Sequence, residues 1–376
     1  MKIVFTGGGT GGHFYPIIAV VQKVNKIIDE EKIIGAKLYY FSDKPYDKEA
    51  LFQHGLIYEE INAGKMRTYS SIKNFFDLFK MFFGVIRAIL KLFLIYPDVV
   101  FGKGGYASFP TIIAAKILRI PILIHESDSA PGRVNKLAGN FAKKIAISFN
   151  EAVEYFPKKN VAWTGHPLRT EIEHPASRNE ALEYFKLESS IPVIFIIGGS
   201  QGAELINNTI LDALPRLLKD YQIIHQTGIN NFKNVTAQAN VILSNNENKS
   251  KYLPMNFLNP LQMKMASGAA TIVISRAGSL LFEIASWGIP SILIPITTTN
   301  EDHQRKNAFN YARAGACSVI EEMNMTANIL CSEVNRIVGD KIIYERMKKS
   351  AEAFNKPDAA LKIAHELINI ALEHEK

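Results

Sequence analysis

Short apolar runs, each closed by a glycine or a polar loop and followed by a stretch with apolar residues at every third or fourth position, recur along the chain. A brief run rich in Val, Ile and Phe suits a strand buried on both faces, and the longer periodic stretches suit helices laid over those faces. Alternation of the two is the βαβ pattern of a parallel sheet. In the first half it predicts strands at Lys2–Thr6, Lys37–Phe41, Asp98–Phe101, Ile122–His125, Lys144–Ser148 and Val161–Thr164. After the polar segment Glu173–Arg178 the pattern restarts, with strands at Val193–Ile197, Gln222–Gln226, Thr271–Ser275 and Ser291–Pro295. A helix from Ala203 is predicted to bury Ile206, Ile210, Leu214 and Leu217 on one face. The expected architecture is α/β, with two doubly wound domains at residues 1–166 and 167–340. A helical segment over 341–376, interrupted near Pro357, is expected to pack back on the first domain.

One stretch departs from this pattern. Ile72–Tyr96 carries Phe75, Phe76, Phe79, Phe82, Phe83, Ile86, Ile89, Leu90, Leu92, Phe93 and Leu94, while Lys73, Asp77, Lys80, Gly84, Arg87 and Lys91 fall on one narrow polar stripe. Charges through its centre exclude a transmembrane helix. Two alternatives remain: a core helix with one wet face, or an interfacial helix whose Phe and Leu side chains enter a lipid boundary while Lys and Arg meet anionic headgroups.

Composition narrows the class. With 376 residues, 47% hydrophobic and 21% charged, the chain is globular and longer than one core usually grows. The net charge of +7 suggests an anionic partner, whether nucleic acid, a lipid surface or a phosphate-bearing ligand. No basic array with interleaved aromatics stands outside the amphipathic helix, so no nucleic acid is expected. Cys317 and Cys331 lack metal-ligand spacing and fit a reducing compartment. The apolar residues after Met1 and Lys2 stop at Gly7, too soon for a signal peptide, and read as a first strand.

The chemistry lies in three strand-to-helix turns. Gly7-Gly8-Gly9-Thr10-Gly11-Gly12-His13 follows the first strand, and glycines there let the backbone approach an anion that the next helix N-terminus can bind. The Gly7-x-Gly9-x-x-Gly12 spacing also satisfies a dinucleotide fingerprint, but its ribose-binding acid is expected roughly 20 residues on and Asp43 lies well beyond that. Gly198-Gly199-Ser200-Gln201-Gly202-Ala203 repeats the arrangement in the second half, and Ser275-Arg276-Ala277-Gly278-Ser279, with Glu283 in the first turns of the helix, is the third. A diphosphate at a helix N-terminus with a carboxylate placed for ribose hydroxyls is what a nucleotide sugar needs.

These turns, with Gly104-Gly105-Tyr106, His125-Glu126, Asn135, Gly165-His166-Pro167-Leu168-Arg169, His225-Gln226-Thr227-Gly228 and His303-Gln304 with Asn307, run in order over nearly the whole chain. Together they resemble the MurG family of inverting N-acetylglucosaminyltransferases of peptidoglycan synthesis. The resemblance implies a GT-B fold, two Rossmann-like domains with parallel sheets facing a cleft, the acceptor on the N-terminal side and UDP-N-acetylglucosamine mainly on the C-terminal side. It implies donor contacts from Thr10, Gly11, Gly12, Arg169, Ser200, Gln201, Phe257, Leu258, Gly278, Ser279, Glu283, Gln304 and Asn307. Ser200 and Gln201 would hold the diphosphate, Arg169 and Phe257–Leu258 the uracil, Glu283 the ribose, and Gln304 and Asn307 the sugar. Acceptor contacts would come from Gly9, Thr10, His13, Gly105, Tyr106, His125, Asp128 and Asn135. The partners implied are an undecaprenyl-linked lipid acceptor and an anionic membrane surface, with the chain peripheral on the cytoplasmic face. Three departures stand out: Asp128 and His166 occupy positions where the family commonly has Asn, and the spacing from Gly278 to Glu283 is one residue short.

Inversion requires a base for the acceptor hydroxyl, and His13 is the first candidate because a helix N-terminus favours the neutral imidazole. Glu126 is the second. No Asp-x-Asp motif occurs, so neither metal nor cofactor is expected, and backbone N–H groups would stabilise the leaving diphosphate. The alternatives are a transferase with another acceptor and a dinucleotide-dependent oxidoreductase.

Overall fold

The computed structural model describes residues 1–64, 72–199, 202–297 and 302–374. The chain forms two compact units, Met1–Arg169 with Lys356–Lys376, and Thr170–Asn355.

In the first unit, seven parallel strands run β1 (Lys2–Thr6), β2 (Lys37–Ser42), β3 (Leu56–Glu60), β4 (Val99–Gly102), β5 (Ile122–Glu126), β6 (Lys144–Ile147) and β7 (Val161–Trp163), in the order β3-β2-β1-β4-β5-β6-β7. The chain winds outward from β1 in one direction and from β4 in the other, so the crossovers on either side of the β1–β4 pair diverge and leave a crevice at those strands' carboxyl ends. One face is covered by helix Gly11–Glu30, which buries Phe14, Ile17, Ile18, Val20, Val21, Val24 and Ile27.

The C-terminal segment is divided. Helix Lys341–Phe354 packs on helices Leu280–Trp287 and Ala327–Gly339 in the second unit. Helix Ala359–His374 lies on Gly11–Glu30, where Ile363, Leu367, Ile368 and Ile370 join the first unit's core. Only the latter helix therefore packs back on the first unit, and the boundary falls after Arg169 instead of after 166. Pro357 separates the two helices because its ring excludes the preceding residue from helical geometry.

Six parallel strands build the second unit: β8 (Val193–Ile197), β9 (Gln222–Gln226), β10 (Tyr252–Met255), β11 (Ile272–Ser275), β12 (Ser291–Leu293) and β13 (Cys317–Val319), in the order β10-β9-β8-β11-β12-β13. The switch point falls between β8 and β11. Helix Glu204–Leu217 buries Ile206, Ile210, Leu214 and Leu217, as its period predicts. The three strands the apolar pattern does not predict, β3, β10 and β13, are all at sheet edges, where one side is unpaired and a continuous apolar run is not needed.

Helix Ile72–Ile95 buries Met81, Gly84, Ala88 and Leu92 against helix Phe109–Ile117. Gly84 is required there, since a Cβ would stand 1.9 Å from the Asn62 carbonyl oxygen. Its broad apolar face is exposed, so a core helix with a wet polar face does not describe it. Lys91 on the polar stripe pairs with Glu59 at 2.8 Å. The side chains of 72–76, Lys73, Phe75 and Phe76 among them, lie outside the described ones.

Candidate functional site

Both switch points carry glycine turns, as parallel topology requires of a ligand crevice. In the first unit the backbone passes from β1 through Gly7–Thr10 into a helix whose first turn holds no acidic residue. The turn from β4 packs directly on it. A Cβ on Gly9 would lie 2.9 Å from the Tyr106 ring, and one on Gly105 would lie 2.8 Å from the Gly8 carbonyl oxygen and 3.4 Å from the His13 imidazole. Gly105 also has φ +79°, a backbone region that side chains resist. Gly105→Ala is accordingly expected to destabilise the first unit by about 1–3 kcal/mol, read as a lowered thermal midpoint; an unchanged midpoint would mean that the two turns are not packed this closely.

His13 is half-buried, with Nδ1 3.0 Å from Thr10 Oγ1. Burial, and then the charge of Lys103, depress its pKa to about 3, so the imidazole is neutral at physiological pH. Tyr106 donates its hydroxyl proton to Asp43 Oδ2 at 2.7 Å, tying the β4 turn to the end of β2. Gly9, Thr10, Gly11, Gly12, His13, Gly105 and Tyr106 are thus brought together.

The β5 turn lies beside them and is built on Glu126. Its Oε1 accepts from Asp128 N at 2.9 Å, and its Oε2 accepts from Gly132 N at 3.1 Å and Asn135 Nδ2 at 3.0 Å. Burial and the neighbouring Asp128 raise the Glu126 pKa, with Lys103 opposing them. The second base candidate therefore has its oxygens engaged by its own turn, and holding that turn is the role this geometry gives it. Asn135 also donates to the His125 carbonyl at 3.0 Å and is the group a Cβ on Gly104 would strike.

His125, expected to touch the acceptor, is instead fully buried, with Nε2 3.1 Å from Ser148 Oγ and 3.2 Å from the Gly165 carbonyl oxygen. Ser148 Oγ and Ser127 Oγ each lie 3.2 Å from His166 Nδ1, and Lys103 Nζ donates to Ser127. His125 and Asn135 shape the turns from behind. Lys103, Ser127 and Ser148 were not singled out by the sequence; the motif residues Asp128 and His166, which lie beside Ser127 in the chain or touch it in the fold, were the available signal. Arg169 belongs to the first unit, its guanidinium 3.9 Å from the Tyr15 ring centroid.

In the second unit Ser200 and Gln201 lie outside the described residues. The flanks of their turn are clear: Gly202 has φ +77°, and a Cβ there would lie 2.2 Å from the Thr227 carbonyl oxygen. Gln226 at the end of β9 joins two turns, donating through Nε2 to the Gly199 carbonyl at 3.2 Å and accepting the Leu258 N–H at 2.9 Å. Leu258 is buried and its neighbour Phe257 exposed. At the β11 turn, Gly278 faces open space, Ser279 immediately precedes helix Leu280–Trp287, and half-buried Glu283 lies in that helix's first turn. From helix His303–Arg313, buried Asn307 donates to the Ala277 carbonyl at 3.3 Å, and Gln304 Oε1 accepts from Ile296 N at 3.2 Å. Gly278, Ser279, Glu283, Gln304 and Asn307 thus form one group at β11 and β12.

Residues 3–147 match the Glycosyltransferase family 28 N-terminal domain and residues 193–363 the family's C-terminal domain. The chain is 34% identical over 368 residues, 97% of its length and 99% of the relative's, to a UDP-N-acetylglucosamine–N-acetylmuramyl-(pentapeptide) pyrophosphoryl-undecaprenol N-acetylglucosamine transferase of Bacillus thuringiensis subsp. konkukian. It is 34% identical to the transferase of that name from Clostridium kluyveri, covering 94% of this chain and 97% of the other. Among solved structures, MurG of Acinetobacter baumannii superposes with a TM-score of 0.73 at 23% identity over 98% of this chain and 99% of that one. The S. aureus MnaA–UDP structure superposes with a TM-score of 0.71 at 15% identity over 99% and 97%, which speaks to fold alone. Two parallel-sheet units with glycine turns at both switch points, matched along nearly their whole length, place this chain in glycosyltransferase family 28, as a GT-B glycosyltransferase of the MurG family.

Proposed function

We propose that this protein transfers N-acetylglucosamine from UDP-N-acetylglucosamine to the muramyl 4-hydroxyl of undecaprenyl-diphosphate-linked N-acetylmuramoyl-pentapeptide, with inversion. The observation that carries this is the identity shared with transferases of that name over 97% of the chain, spanning both switch-point turns. An oxidoreductase is set aside by the same match.

His13 is the base. With Nδ1–H donating to Thr10 Oγ1, the lone pair of Nε2 is available to take the acceptor hydroxyl proton as that oxygen attacks the anomeric carbon. Gly9, Thr10, Gly105 and Tyr106 hold the acceptor's anion and sugar, with Asp128, His125 and Asn135 setting the shape of their turns. UDP departs onto the N–H groups at the starts of the helices after β8 and β11, with Ser200, Gln201, Gly278 and Ser279 contributing. These dipoles are already oriented before charge develops, which is what lowers the barrier. Arg169, Phe257 and Leu258 take the uracil, Glu283 the ribose, Gln304 and Asn307 the sugar, and Thr10, Gly11 and Gly12 complete the donor set.

The deciding assay is transfer of labelled N-acetylglucosamine from its UDP form to the lipid acceptor; no transfer under saturating donor would refute the assignment. Glu283→Ala removes a charged hydrogen-bond acceptor worth about 1.5–3 kcal/mol, so the donor KM is expected to rise about 10–100-fold with the acceptor KM unchanged. Equal effects on both KM values would remove Glu283 from the donor site.

The lipid acceptor calls for a surface that meets the bilayer, and helix Ile72–Ile95 supplies it through its exposed Phe and Leu face beside Lys80 and Arg87. Among the described residues no helix is long and apolar enough to cross a membrane. The protein works as a peripheral enzyme on the cytoplasmic leaflet.

A further inference from the structure

In the second unit β9 lies between β8, which runs into Gly198 and Gly199, and β10, which runs into Phe257 and Leu258. Its last residue, Gln226, is in register with Ile197 at the end of β8 and with Met255 at the end of β10, so one side chain stands between the beginnings of both turns. That side chain is 2% exposed. A primary amide has a donor end and an acceptor end, and here each end serves a different turn. Nε2 donates to the Gly199 carbonyl at 3.2 Å, and Oε1 accepts the Leu258 N–H at 2.9 Å.

Both contacts fall where a ligand turn needs its backbone fixed. The Gly199 carbonyl also accepts from Gly202 N at 3.1 Å, so an oxygen that would repel a phosphate if turned toward it is engaged by two protein donors. On the other turn Leu258 is buried, Asn256 Oδ1 accepts from Phe257 N at 2.6 Å, and Asn259 accepts from Gln262 N at 2.9 Å to cap helix Pro260–Ala269. The exposed Phe257 ring therefore stands among fixed neighbours. On the opposite face of β9, His225 lies 3.0 Å from Asn207 Oδ1 and 2.9 Å from the Tyr252 hydroxyl, contacts that hold the strand and touch neither turn.

We propose that Gln226 is a positioning residue for the donor: its amide sets the diphosphate turn after β8 and the uracil segment after β10 together, so that the two halves of the nucleotide are gripped in one register. This inference rests on the reading of the donor as UDP-N-acetylglucosamine. Gln226→Met keeps the bulk and removes both hydrogen bonds; Gln226→Glu keeps an acceptor for the Leu258 N–H and loses the donor to Gly199. Uridine, which probes the base segment, and UDP, which probes both turns, are titrated into the whole protein by ligand-observed NMR. Each lost hydrogen bond is expected to weaken binding about fivefold. Gln226→Met should then weaken uridine about fivefold and UDP about 25-fold, while Gln226→Glu leaves uridine binding within twofold of the wild type. In steady-state transfer Gln226→Met should raise the donor KM and leave the acceptor KM unchanged. Equal weakening of uridine and UDP in Gln226→Met, loss of uridine binding in Gln226→Glu, or donor and acceptor KM rising together overturns the proposal. If Gln226→Met does not fold, Gln226→Leu takes the same readings. A wild type that binds neither uridine nor UDP overturns the donor reading and this inference with it, whereas wild-type binding of both with equal losses in the variant overturns this inference alone.

Discussion

Replacing His13 by alanine is expected to lower kcat for transfer by about 10²–10⁴-fold, the range general-base catalysis contributes, with the donor KM and the thermal midpoint little changed. The expectation follows from placement. His13 stands in the first turn of helix Gly11–Glu30, its ring against Gly105, and is half-exposed where the buried His125 and His166 are closed off. Its depressed pKa fixes the pH behaviour: the active neutral form is present above about 3 and is lost as pH falls through that value. The wild-type rate should therefore show no histidine limb between about pH 5 and 8, the window where an unperturbed imidazole titrates. Single-turnover transfer measures both. A variant retaining more than a tenth of the wild-type rate would return the base role to another group, with Glu126 the first to examine despite its three hydrogen bonds.

The second large effect is expected at the membrane. Helical spacing gathers Leu78, Phe79, Phe82, Phe83, Ile86, Leu90, Phe93 and Leu94 onto one face, and all of them are exposed, Phe82 by 61%, Phe93 by 67% and Leu94 by 77%. A contiguous apolar face of this kind on a folded unit marks an interaction surface. Lys80 and Arg87 border it, exposed and of the sign that anionic headgroups attract. Replacing Phe82, Phe83, Leu90 and Phe93 by serine removes side chains worth about 1.5–3 kcal/mol each on full burial, so binding to anionic vesicles should fall by at least about 100-fold. Vesicle flotation checks this. Transfer to a short-chain, water-soluble acceptor should persist in the variant while transfer to the long-chain lipid in bilayers is lost. Lys80→Gln with Arg87→Gln should weaken binding less, and chiefly at low salt, because screening acts on the charges and not on the apolar contact. Undiminished flotation by the serine variant would remove this face from membrane binding.

Much of this was legible in the residues because the relevant physics is local. Strands buried on both faces carry an apolar centre, so β1, β8 and β9 are read to the residue, although Gln222, His225 and Gln226 are buried polar members of β9, whereas edge strands β3, β10 and β13 escape the same rule. Glycine turns announce themselves because positive φ and close backbone approach, as at Gly9 and Gly105, admit little else. The amphipathic period of Ile72–Ile95 showed two faces, but which of them faces solvent was settled only by packing: the narrow row of Met81, Gly84, Ala88 and Leu92 fits the neighbouring helix, and the broad face is left over.

What depended on the fold was every relation between residues distant in the chain. Glu126 and His125 look alike in sequence to groups that touch a substrate; folding turns the carboxylate toward Asp128, Gly132 and Asn135 and buries the imidazole against Ser148 and Gly165. Lys103 is one lysine among many until β4 and β5 pair and close over it. Residue types and periods determine which segments become strands, helices and turns, because those choices depend on neighbours within a few positions. Burial, charge and protonation are properties of assembled surroundings, and these exist only when the sheets have brought the turns side by side.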